Sequence, residues 1–195
     1  MNSIQIAHKR ISELSDLLAI FDSECSASLA SASDLLVDCF RRGSKVLICG
    51  NGGSAADSQH FAAELVSAFS REIKRPALSA IALTVDTSVL TAFSNDFGYE
   101  NVFARQVEAH GREGDVLIVI TTSGSSKNCV AAVAAAKGLG MKTIALTRKG
   151  GMISNVADFS VEVPSANTQH IQECHMLSYH IMSELIEEAL YGGEK

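Results

Sequence analysis

The sequence predicts an α/β protein: a three-layer, doubly wound parallel sheet with a helical extension at its N-terminus. Three observations predict it. Short apolar runs rich in Val and Ile recur with helical stretches between them, as a parallel sheet covered on both faces requires. The first run leads through a glycine turn into a helix, and the third ends in a hydroxyl-rich turn that leads into another. Alternation of this kind winds helices onto both faces of one sheet.

Residues 4–42 are helical by pattern. Ile11, Leu14, Leu18, Phe21, Cys25, Ala32, Leu35 and Cys39 form a heptad-like apolar seam. The serines between 23 and 33 predict a break into two helices. A seam this long before the first strand asks for a partner, either the chain's own sheet or a second subunit. Strands are expected at 46–49, 79–84, 115–121, 142–147 and 159–163. Helices are expected at 55–69, 89–93, 102–110 and 129–138, with an amphipathic closing helix at 171–191. No Pro- or Gly-rich linker interrupts the chain. One domain over 1–195 is therefore expected, with the helices of 1–42 packing on the sheet and at subunit interfaces.

Composition excludes several classes. No apolar run reaches the ~18 residues of a membrane span, and the first residues, MNSIQIAHKRISEL, lack the apolar core of a signal peptide. The net charge of −6 and the absence of tryptophan argue against a nucleic-acid surface. The five cysteines are an odd number with no C-x-x-C, and most sit in apolar runs. They read as reduced core residues of a cytoplasmic protein. A small ligand is expected.

The organising stretch is KVLICGNGGSAADSQHFAAE, residues 45–64. Glycines at a strand-to-helix turn let the backbone approach an anion, and free N–H groups at the helix start favour negative charge. The turn also matches G-x-G-x-x-A, but a dinucleotide site needs an acid at the end of the next strand, and Asp86 comes too late. His60 and Glu64 stand four apart on one helix face. Such a pair can share a metal ion or act as acid and base. The second turn, Thr121-Thr122-Ser123-Gly124-Ser125-Ser126, offers five hydroxyls ahead of a helix, which suits a phosphate. In a doubly wound sheet both turns open into one crevice.

Together, CGNGGSAADSQHFAAE at 49–64 and TTSGSS at 121–126 resemble the sugar isomerase, or SIS, domain. Asn95-Asp96-Phe97-Gly98 and Ile171-Gln172-Glu173 narrow the resemblance to the phosphoheptose isomerases, over essentially the whole chain. The resemblance implies a flavodoxin-like sheet and conversion of sedoheptulose 7-phosphate to glycero-manno-heptose 7-phosphate, for heptose biosynthesis. It implies a sugar site lined by Asn51, Gly52, Gly53 and Ser54, with Asn95 and Asp96 on sugar hydroxyls. Thr121, Thr122, Ser123 and Ser126 would hold the phosphate, and Gln172 would also meet substrate. His60, Glu64, Gln172 and His180 match the family's zinc positions, one zinc per site, and a homotetramer is implied. An aldose–ketose isomerisation through an enediol needs a base at carbon and a proton partner at oxygen. Glu64 is the expected base and His180 the partner.

The chain departs from the family pattern in places. Ala68 stands where many members carry Arg, segment 69–75 reads as longer, and Asn167 or Gln169 stands near an acidic position. His175 rivals the zinc positions by spacing alone. Gln172 and His180 are eight residues apart, about 12 Å along a helix, so ligands from a second copy are also expected. A non-catalytic relative, an adaptor for the replication initiator protein or a sugar-phosphate sensor, is the alternative. Such an adaptor needs no base, and Glu64 with His180 speaks against it.

Overall fold

A computed structural model describes residues 2–193; the ends of the expected domain, residue 1 and residues 194–195, lie outside the described residues. Five parallel strands form one sheet in the order β2-β1-β3-β4-β5. They are β1 (Val46–Gly50), β2 (Ala80–Ala82), β3 (Val116–Thr121), β4 (Lys142–Arg148) and β5 (Phe159–Val163). The helices are α1 (Ser3–Arg41), α2 (Gly53–Val66), α3 (Thr87–Phe97), α4 (Val102–His110), α5 (Lys127–Gly138) and α6 (Thr168–Tyr191). The expected doubly wound α/β architecture is present, and its strand order is the flavodoxin-like one.

Side chains alternate across each strand, so the apolar runs feed two cores. Val46, Ile48, Val116, Ile118, Ile120, Ile144 and Leu146 face α1, α2 and α6. Leu47, Cys49, Leu117, Val119 and Ala145 face α4 and α5 on the other side. All five cysteines are buried and free, as their apolar settings predict. Among the described residues, no helix is long and apolar enough to cross a membrane.

The break expected within 23–33 does not occur: α1 runs unbroken for 39 residues. Its serines keep their hydroxyls on the helix. Ser23, Ser28, Ser31 and Ser33 donate to the carbonyls of Ile20, Cys25, Ala27 and Leu29, and Ser26 donates to Asp22. A serine that bonds back to the preceding turn does not compete with helical geometry. A capping box between Asn2 and Gln5 closes the N-terminus.

The apolar seam is covered along most of its length. From Leu17 onward, Phe21, Cys25, Leu29, Ala32 and Leu36 are buried in the core shared with α6 and the sheet. Ile4, Ile6 and Ile11 remain exposed, Ile11 at 69%. The chain's own core therefore covers the seam from Leu14 to Cys39 and leaves Ile11, with Ile4 and Ile6 before it, open at the N-terminal end.

The order of β2 and β3 on either side of β1 makes a topological switch between β1 and β3. Loops leaving these neighbouring strands diverge and leave a crevice at their C-terminal ends. Both glycine-containing turns lie there.

Candidate active site

The turn after β1 is packed too tightly for any side chain at Gly50, where a Cβ would lie 2.7 Å from the Ser54 carbonyl oxygen and 2.8 Å from that of Ile120. Gly52 turns the chain at φ 57°, in the left-handed region that glycine enters freely. No side chain caps α2; the turn closes on itself instead, with the Ser54 N–H donating to the Asn51 carbonyl at 3.0 Å and the Ala55 N–H to that of Gly52 at 3.0 Å. Asn51 is tied across the crevice: it donates to Asn128 Oδ1 at 2.9 Å and accepts from Asn128 Nδ2 at 2.8 Å. The Tyr99 hydroxyl donates to the same Asn51 oxygen at 2.9 Å. The Asn51 side chain thus joins the two turns, and sequence reasoning did not single out Asn128 or Tyr99.

The turn after β3 gathers its hydroxyls. Thr121 Oγ1 lies 3.2 Å from Ser123 Oγ and 3.1 Å from Ser126 Oγ, and those two serines are 3.4 Å apart. Three hydroxyls converge on one point at the uncapped start of α5. Thr122 follows Thr121 in the chain and stays outside this triangle. The arrangement offers O–H and N–H donors to a phosphate together with the favourable end of the helix dipole.

Helices α2 and α6 lie side by side and bring the remaining candidates together. The ligand atoms of His60, Glu64 and His180 all lie within 4.8 Å of one another, within one chain. His60 Nε2 is 2.9 Å from Glu64 Oε1. The His60 and His180 rings meet edge to face at 5.2 Å. Two imidazoles and a carboxylate form the N/O donor set that zinc accepts. Gln172 sits nearer the start of α2, its amide against Gly53, and its Nε2 donates to Asp57 Oδ2 at 3.0 Å. The group that fits a metal ion is therefore His60, Glu64 and His180, while the contacts of Gln172 are with Gly53 and Asp57. Glu64 and His180 meet within one chain, an approach that the Gln172–His180 spacing along α6 does not foretell. The reason is the parallel run of α2 beside α6, which spacing along α6 alone does not reveal.

Asp57 is buried, and burial raises its carboxyl above the usual range, opposed by the Gln172 amide and His60. Tyr179 is fully buried with its hydroxyl 2.9 Å from His60 Nδ1, and burial pushes its phenol well up. Neither residue was singled out from sequence. Polar groups on the buried side of an amphipathic helix are the signal that could have found them.

His175 does not join the group. It is buried beside the Thr147 backbone, and burial lowers its imidazole to about 4 against that contact's opposing pull. Asn95 and Asp96 lie exposed near the end of α3, where Asn95 Nδ2 donates to Asp96 Oδ1 at 2.8 Å. Neither bonds to the turns or to the α2–α6 group. Beyond Ala68 the chain folds inward. Arg75 donates to the Glu64 and Leu65 carbonyls at 2.7 and 2.8 Å and to Glu187 at 2.6 Å. Phe69 places its ring 5.9 Å from that of His180.

Comparison with known proteins adds to this geometry. A family model described as the SIS domain matches residues 11–148. A phosphoheptose isomerase of Akkermansia muciniphila is 49% identical over 169 residues, covering 86% of this chain and 88% of the relative. One from Campylobacter jejuni is 48% identical over 182 residues, 93% of each chain. A solved phosphoheptose isomerase structure from Francisella tularensis superimposes with a TM-score of 0.92 at 40% identity, covering 96% of this chain and 100% of its own.

Proposed function

The chain belongs to the SIS domain family and, within it, to the phosphoheptose isomerases, and on that premise we propose that it converts sedoheptulose 7-phosphate to D-glycero-D-manno-heptose 7-phosphate. The observation that carries this reading is the convergence of His60, Glu64 and His180 beside a crevice that gathers three hydroxyls.

In this reading Thr121, Ser123 and Ser126, with Thr122, hold the phosphate. Asn51, Gly52, Gly53, Ser54, Asn95, Asp96 and Gln172 line the sugar. Glu64 takes the proton from one of C1 and C2 and returns it to the other through an enediol, while His180 exchanges protons with the oxygens. His60, Glu64, His180 and Gln172 would hold one zinc ion, which supplies Lewis-acid polarisation of the carbonyl when bound. The same reading takes the chain as one domain in a homotetramer. It places the reaction in the cytoplasm, where five free thiols stay reduced.

The test is the Glu64→Gln variant, followed by NMR on sedoheptulose 7-phosphate. Turnover should fall by at least the ~10²–10⁴-fold credited to a positioned acid or base, with sugar-phosphate binding retained. Near-normal turnover in this variant would refute the assignment. Conversion of other ketose phosphates, but not this one, would redirect the substrate.

A further inference from the structure

We propose that Tyr179 is a positioning residue whose hydroxyl holds the His60 imidazole for metal binding and satisfies its Nδ1 in either tautomer. The inference rests on the metal-centre reading above and deepens it.

The geometry is specific. Tyr179 is fully buried, its ring stacked on Phe61 at 5.4 Å and an interplanar angle of 19°. Its ring edge meets His60 at 5.3 Å and His180 at 4.9 Å. This packing fixes the hydroxyl, which lies 2.9 Å from His60 Nδ1. The other ring nitrogen, Nε2, lies 2.9 Å from Glu64 Oε1. Each imidazole nitrogen therefore has one partner, on a different helix in each case.

The two partners differ in what they can do. An ionised Glu64 can only accept, so without a metal a neutral His60 carries its proton on Nε2 and donates it there. Nδ1 then needs a donor, and the Tyr179 O–H supplies it. If Nε2 is to offer its lone pair to a cation, the ring proton must sit on Nδ1 and the partner there must accept. A hydroxyl makes that change by rotating about its C–O bond, whereas a carboxylate or a backbone carbonyl could serve only the second state. Metal-bound histidines are commonly oriented in this way by the group on the opposite nitrogen, and losing that group costs about 10–100-fold in affinity. No other hydrogen-bond partner reaches the Tyr179 hydroxyl among the described residues.

The test measures zinc affinity by competition with a chromophoric chelator on the full-length metal-free protein. Tyr179→Phe removes one oxygen and keeps the ring packing. Its zinc affinity should fall about 10–100-fold, with the sugar-phosphate KM nearly unchanged and kcat reduced. The loss should vanish in a His60→Ala background, because Tyr179 acts through His60. Wild-type affinity in Tyr179→Phe, or an equal loss in both backgrounds, would overturn the proposal. Histidine ¹⁵N NMR of the wild-type protein, which needs no variant, should place the His60 proton on Nε2 without metal and on Nδ1 with zinc. An unchanged site of protonation would also overturn it. A wild-type protein that binds no zinc removes the metal reading itself. Zinc binding that ignores Tyr179 removes only this inference.

Discussion

At the scale of single residues, the site depends on close approaches that few side chains tolerate. Gly53 is an example: a Cβ there would meet the Gln172 amide at 2.5–2.9 Å. That amide is the end of a flexible side chain, so Gly53→Ala should fold but push Gln172 off Asp57. A buried carboxylate left without its partner costs about 1–3 kcal/mol. We expect a loss of that size in denaturant unfolding, with weakened zinc binding. Adding Gln172→Ala to Gly53→Ala should cost little more, since both act on one contact. Additive losses would show that Gly53 acts elsewhere.

Among the elements, the α2–α6 pair is the working unit, and its far end is clamped by an ion pair. Arg75 and Glu187 are both buried, and Glu187 also accepts the N–H groups of Phe69 at 2.8 Å and Ser70 at 2.9 Å. Arg75 reaches the last carbonyls of α2, including that of Glu64, where a cation also opposes the helix dipole. Burial alone would raise the Glu187 carboxyl, but Arg75 and the two backbone amides outweigh it and hold it below the usual range. A depressed carboxyl contributes stability above its unfolded pKa of about 4.3, and that contribution disappears as pH falls through the folded value. Glu187→Gln leaves Arg75 buried without a counter-charge, which costs about 3–5 kcal/mol. Urea unfolding near neutral pH should show that gap, and the two proteins should converge under acid. A gap that persists unchanged under acid would mean the loss is one of shape rather than charge.

For the whole molecule, the exposed Ile4, Ile6 and Ile11 at the N-terminal end of α1 and the exposed Phe97 on α3 predict association. Large apolar side chains left together at a surface are the usual mark of a subunit contact. Sedimentation should give a tetramer, and Ile4→Glu with Ile11→Glu should shift it towards smaller species; a monomeric wild type would end this reading. Glu64 and His180 meet within one chain, so mixed oligomers of Glu64→Gln and His180→Gln subunits contain no site with both intact. Co-refolding the two variants should therefore restore no activity. Recovered turnover would mean that the working site draws these residues from different copies.

What the sequence determined by itself was local. Short apolar runs located all five strands within a few residues: the central β1, β3 and β4 are buried on both faces and so apolar along most of their length, while the edge strand β5 keeps an alternating pattern. The composition of the two turns identified their chemistry, because glycines and hydroxyls act through backbone geometry at their own positions. The serines of α1 misled because their composition is the same whether a hydroxyl breaks a turn or bonds back along the helix. What only the tertiary structure decided was which distant groups meet. Tyr179 and His60 are 119 residues apart, and Gln172 and Asp57 are 115 apart. No local period encodes such pairs. The β2-β1-β3 strand order and the packing of α6 on α2 create them, because burying two apolar faces together brings their polar rims within hydrogen-bonding distance.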